Sequence, residues 1–182
     1  MKKDKIEYSI YYATKAHKGQ TRKMEDVDMI FHPFTVGMIL QRNQCDEDIV
    51  TAGILHDVVE DTEKTFDDIE REFGKKVRDY VYDASEPDKS LPWRQRKEHT
   101  IETIKNAPLG SKLIVACDKI SNLQAALSNI EKYGEDIITK NFEEQKWYYT
   151  KVYESCIENV DKDHPIFRRY KDVLEEVFKG GK

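Results

Sequence analysis

Apolar residues recur at intervals of three and four along nearly the whole of this 182-residue chain, and no segment shows the sustained alternation and β-branched runs of a strand. That period restricts the fold to all-α. Proline and glycine mark the boundaries. A first helix is expected over residues 4 to 17, with Gly19 as a C-terminal cap, followed by a polar connection over 20 to 31 that carries Arg22 and Lys23. Pro33 fits the first turn of the next helix, which places His32 at or beside its N-cap. A third helix runs from Asp46 through Asp61, and a fourth starts with a capping box, Thr65 and Asp68, and stops at Gly74. A further helix over 75 to 86 leads to the loop "PDKSL". Pro92 then opens a helix that ends before Pro108, and a long one runs to Gly134. Segments beginning near Phe142 and His164 close the chain, for about eight helices in one domain over residues 1 to 182, without repeat or linker.

Composition narrows the function classes. With 38% hydrophobic and 36% charged residues the chain has a strongly polar surface, and no apolar run approaches the ~20 residues that span a bilayer. The N-terminus places acidic and polar residues where a signal peptide carries its apolar core, which points to the cytoplasm. A net charge of -5 argues against a nucleic-acid polymer as partner, while a small anionic ligand needs only a local group of cations. Cys45, Cys117 and Cys156 are far apart in sequence and suggest reduced thiols rather than disulfides or a zinc knuckle.

One stretch departs from ordinary helix chemistry. "ILHDVVEDT", residues 54 to 62, holds His56, Asp57, Glu60 and Asp61 without a Lys or Arg. At about 100° per residue these four share one face, and Ile54, Leu55, Val58 and Val59 take the other. Like-charge neighbours at i,i+3 and i,i+4 cost roughly 0.2–0.5 kcal/mol each on an isolated helix, a penalty that a bound cation would reverse. The bland alternative is a solvated acidic face. Against it stand His32 at a helix start and Asp118 within "LIVACDKI", where an unpaired carboxylate is expensive to bury. Two imidazoles and two carboxylates suit a first-row divalent ion such as manganese, iron or zinc, which would acidify a bound water. Glu60 and Asp61 would then serve in acid–base work.

The segments "AHKGQTRK" (16 to 23), "HP" (32 to 33), "AGILHDVVEDT" (52 to 62), "FG" (73 to 74) and "DKISNL" (118 to 123) together resemble the HD superfamily of metal-dependent phosphohydrolases. Within it they are most similar to the hydrolase domain of RelA/SpoT proteins and to the small alarmone hydrolases. The resemblance implies an HD-type helical fold and hydrolysis of the 3′-pyrophosphate of guanosine tetra- or pentaphosphate to GDP or GTP and pyrophosphate, with one Mn2+ as cofactor. By position it implies His32, His56, Asp57 and Asp118 as metal ligands, Glu60 and Asp61 as catalytic acids, and Arg22, Lys23 and Asn122 as substrate-binding residues. A small nucleotide is the implied partner, with no membrane; a homo-oligomer stays open.

Where relatives carry "GxPYIxHP", this chain reads "MEDVDMIFHP", which leaves the metal set intact and opens the nucleotide pocket to other substrates, such as the 2′-phosphate of NADPH. Lys119 stands where relatives with two activities often have Arg. A catalytically silent nucleotide-binding module is the third reading. Outside the motifs, Arg94, Arg96 and Lys97 suggest a salt-bridged surface, Lys112 and Lys119 are ambiguous, His17 suggests a structural role, and His99 and His164 suggest surface or capping positions. Trp147, Tyr148, Tyr149 and Tyr153 fit helix packing.

Overall fold

The computed structural model describes residues 4–22, 26–86, 89–134 and 141–179. Among these, helix is the only extended secondary structure: α1 (Lys5–Ala16), α2 (Phe31–Arg42), α3 (Glu47–Leu55), the single turn α4 (Val58–Asp61), α5 (Phe66–Phe73), α6 (Lys75–Ala84), α7 (Trp93–Asn106), α8 (Leu109–Tyr133), α9 (Phe142–Ile157) and α10 (Pro165–Val177). The all-α expectation holds. None of these helices is long and apolar enough to cross a membrane.

Local chemistry explains most boundaries. The Asp4 side chain accepts from the Glu7 N–H to start α1, and Thr65 and Asp68 form the reciprocal capping box that starts α5. Gly74, at φ 90°, ends α5 and opens α6 in one residue, a conformation that costs a side chain heavily but glycine little. His164 caps α10 through Nδ1, which accepts from the Ile166 N–H at 3.2 Å.

Some expectations are refined. The third helix does not run unbroken from Asp46 to Asp61: at Asp57 (φ −89°, ψ −8°) it opens into a turn, and α4 re-forms beyond it, with the Asp61 N–H donating to the Asp57 carbonyl at 3.0 Å. Asp46 sits at the N-cap of α3 without a side-chain capping bond, and His32 is the second residue inside α2 rather than its cap. The connection before α2 folds back on itself through an antiparallel bridge between Thr21 and Asp28, with Arg22 N–H donating to Val27 O and Met29 N–H to Gln20 O.

The long α8 is the axis of the molecule, packing against α2, α3, α6, α7, α9 and α10. Its buried Ile114, Ala116, Ile120 and Leu123 anchor a core shared with Leu40, Leu55, Phe167 and Tyr170. Burial of such side chains supplies roughly 1.5–3 kcal/mol each. Buried Lys112 lies in that helix too, and its ammonium donates to the Glu158 carbonyl at 2.6 Å, a structural use of the charge. Helices α2 and α3 approach closely because glycines face the partner helix. A Cβ on Gly37 would lie 2.5 Å from Ile54 Cγ1, and one on Gly53 would lie 2.3 Å from Leu40 Cδ1. This contact brings the start of α2 and the end of α3 beside the middle of α8, where the polar residues of the core gather.

Candidate functional site

His32 from α2, His56 and Asp57 from the α3–α4 break and Asp118 from α8 meet at one point. His32 Nε2 lies 3.1 Å from Asp118 Oδ1 and 3.6 Å from Asp57 Oδ2; His56 Nε2 lies 3.1 Å from Asp57 Oδ1 and 3.9 Å from Asp118 Oδ1. Both imidazoles are buried, and each is oriented from behind. His32 Nδ1 bonds Ser121 Oγ at 2.9 Å, while His56 Nδ1 donates to the Gly53 carbonyl at 2.8 Å. That leaves each Nε2 turned to the carboxylates, the arrangement by which outer partners orient a ligand histidine. Among the described residues His56 Nε2 is buried with no hydrogen-bond partner, a costly condition that a divalent ion relieves. Ligand atoms of His32, His56 and Asp118 fall within 4.8 Å of one another. The donor set therefore fits a divalent metal ion.

The electrostatics agree. Burial works to raise the pKa of Asp118, but Lys119, whose ammonium lies 2.6 Å from Oδ2, and the two histidines outweigh it and hold the carboxyl well below its usual range. Burial likewise works against a charged His56, but Asp57 and Asp118 outweigh it and raise its pKa, so that the same negative field that draws a cation also draws a proton that the ion must displace.

Beyond the turn at Asp57, Glu60 lies within electrostatic reach of Asp57 and His56, and Asp61 follows it in α4. Burial pushes Glu60 up to about 7, helped by Asp57 and opposed by the Glu86 N–H that its carboxylate accepts from. Asp61 instead pairs with Lys89, whose ammonium donates to Asp61 Oδ1 at 2.6 Å and to the Glu60 carbonyl at 2.8 Å. Beyond Asp61 opens a cavity of about 600 Å³ lined also by Gln20, Thr21, Arg22 and Met29. Arg22 borders a second one of about 380 Å³, whose walls include Val27, Phe31, Ser121 and Gln124. Asn122, one turn beyond Asp118 on α8, donates to Asp118 Oδ1 at 2.6 Å and lies 3.4 Å from Arg22 Nη2. Lys23 lies outside the described residues.

Residues 9–139 match the HD domain family. The chain belongs to that family. This HD domain is 39% identical over 116 residues to the human guanosine-3′,5′-bis(diphosphate) 3′-pyrophosphohydrolase MESH1, a stretch covering 62% of this chain and 64% of that protein. It is 41% identical over 93 residues to the Escherichia coli bifunctional (p)ppGpp synthase/hydrolase SpoT, covering 51% of this chain and 13% of SpoT. Among solved structures it resembles a metazoan ortholog of SpoT that hydrolyzes ppGpp, with a TM-score of 0.83 at 27% identity over 99% of this chain and 98% of that one. It also resembles lmo0812 from Listeria monocytogenes, with a TM-score of 0.74 at 34% identity over 81% of this chain and 99% of that one.

Several residues of this HD-domain site were invisible to sequence patterns. Arg96 and Lys97 form the expected salt bridges, but half-buried rather than on the surface: both clasp Glu86, Arg96 at 2.6 Å, so that the Glu86 main chain is held against Glu60. Arg94 does form the expected exposed pair, with Glu98 at 2.8 Å. Lys89 came from a segment that reads only as a loop. Of the signals in the sequence, the lone lysine of "PDKSL" and the buried-acid pattern around Glu86 have no local periodicity to betray them.

Proposed function

We propose that this HD domain is a metal-dependent hydrolase that removes the 3′-pyrophosphate of guanosine tetra- or pentaphosphate. The observation that carries the reading is the meeting of His32, His56, Asp57 and Asp118, with Glu60 beside them near neutral pKa. The HD-domain match over residues 9–139 holds these residues, and relatives bearing that activity in their names are 39% identical over 116 residues and 41% identical over 93. The proposal takes residues 1 to 182 as one hydrolase domain acting on a small nucleotide in the cytoplasm, in the stringent response.

In this reading His32 and His56 through Nε2, with Asp57 and Asp118 through their carboxylates, hold one divalent ion, manganese by the family resemblance. When bound, such an ion supplies Lewis acidity at the phosphate and lowers the pKa of water. The chain's own groups do the rest. Glu60, whose burial raises its pKa and whose carboxylate a bound cation would favour again, is the group that can take a proton from the attacking water and give one to the departing ribose 3′-oxygen. Asp61, fixed by Lys89, orients water and substrate at the cavity mouth. Arg22 binds phosphate beside the metal set, with Lys23 assigned to the same anion by the family resemblance alone, and Asn122 holds Asp118 in place while facing the nucleotide. Overall, water adds to the phosphorus, the bond from phosphorus to the 3′-oxygen breaks, and that oxygen leaves as a hydroxyl.

The test is product analysis after incubating manganese-loaded protein with guanosine tetraphosphate, and in parallel with NADPH, using Asp57→Ala as control. GDP and pyrophosphate from the wild type alone support the proposal. Inorganic phosphate from NADPH alone would keep the metal mechanism and overturn the substrate, and a metal-loaded protein that turns over neither would overturn the enzyme.

A further inference from the structure

The mechanism leaves one buried polar chain unused. His17, at the end of α1, is 2% exposed, and its Nδ1 lies 2.8 Å from Gln20 Oε1. The same amide donates through Nε2 to the main-chain carbonyl of Asp61 at 2.6 Å. The amide's orientation fixes the rest: with Nε2 facing a carbonyl, Oε1 must accept, so His17 carries its proton on Nδ1. His17 Nε2 is buried without a hydrogen-bond partner among the described residues. The imidazole is therefore committed to one bond, to Gln20. Gln20 is bound through its main chain as well, its carbonyl accepting from Met29 N–H at 2.8 Å. It thus sits at the base of the folded-back segment that carries Arg22, and at the same time grips the turn that carries Asp61.

We infer that Gln20 is a positioning residue that sets Asp61 relative to Arg22, with His17 as its fixed backstop. Arg22 and Asp61 line the same cavity of about 600 Å³ yet come from segments joined at this point by a side-chain amide. A substrate that touches both groups feels any change in their separation, and misplacement by an ångström can cost about 100-fold in rate. The carbonyl of Asp61 is a main-chain lever: moving it turns the carboxylate that Lys89 holds from the other side. The inference rests on the hydrolase reading for its catalytic consequence, but the tie itself is a property of the fold.

The experiment has two arms on the full chain. Gln20→Met keeps length and removes both polar atoms; Gln20→Glu keeps an acceptor for His17 and removes the donor to Asp61. Hydrogen exchange followed by mass spectrometry, which needs no turnover, should show faster exchange in both variants confined to peptides spanning 20–29 and 57–62. Unchanged exchange there overturns the tie. In the kinetic arm, Gln20→Met should lower kcat about tenfold with bound metal retained, and should cost less than about twofold when added to Asp61→Asn, because a residue acting through Asp61 has nothing left to act on. Equal losses in both backgrounds would overturn the positioning role. If the wild type does not hydrolyse guanosine tetraphosphate while exchange rises as expected, the substrate reading fails and the tie stands.

Discussion

Replacing Glu60 by Gln should make the metal-free protein more stable while it removes activity. Glu60 is displaced from 4.5 to about 7, chiefly by burial. At about 1.4 kcal/mol per pH unit, that displacement is worth about 3 kcal/mol between the neutral and the charged carboxyl in the folded state. Because the folded pKa lies above the unfolded one, the stabilising contribution of the neutral acid is complete below pH 4.5 and is lost as pH rises through about 7. Gln stays neutral throughout and can still accept from the Glu86 N–H through its side-chain carbonyl. The stability difference between Glu60→Gln and wild type should therefore grow in favour of the variant by about 3 kcal/mol from about pH 4 to about pH 8. Urea unfolding followed by circular dichroism, with a chelator present, measures it across that range. Adding manganese should shrink the pH dependence, since a neighbouring cation favours the carboxylate. A difference flat with pH in the chelated protein would refute the assignment of Glu60 as a buried acid.

Arg22→Ala should raise KM with kcat nearly kept, if the guanidinium binds ground and transition states alike; steady-state kinetics reads this directly. Chelation should abolish turnover while leaving far-UV circular dichroism intact, and restoring a divalent ion should raise the melting temperature in a concentration-dependent way. Gly53→Ala forces a methyl group to within 2.3 Å of Leu40 Cδ1, and overpacking of this kind should cost about 1–3 kcal/mol, seen as a lower urea midpoint at unchanged slope.

Much of this was legible in the sequence because the relevant signals are local. The capping box at Thr65 and Asp68 and the glycine stop at Gly74 depend on a few neighbouring residues, and both are found in place. His56 and Asp57 announce themselves by sharing a polar helix face, and Asp118 by its apolar neighbours. What escaped depends on distant partners. The break at Asp57 carries no proline or glycine; the helix opens where His56 and Asp57 face groups from α2 and α8, and propensity holds no record of them. Arg96 and Lys97 look like surface cations until Glu86, ten and eleven residues away, is seen between them. Lys89 and Gln20 act on Asp61 across 28 and 41 residues, distances over which no helical period survives.

The glycine contact between α2 and α3 has a consequence for how this centre could change over evolutionary time. Gly37 and Gly53 let Ile54 and Leu40 lock into the opposing backbone, so neither helix can slide along the other by a residue, a rise of about 1.5 Å, without a collision. His32 and His56 ride on those two helices and inherit their fixed spacing. The helix pair behaves as a caliper whose jaws are set by atoms well away from the chemistry. Adapting the centre to another ion would then have to proceed by exchanging the donor atoms at the jaws, since the opening between them is held by packing.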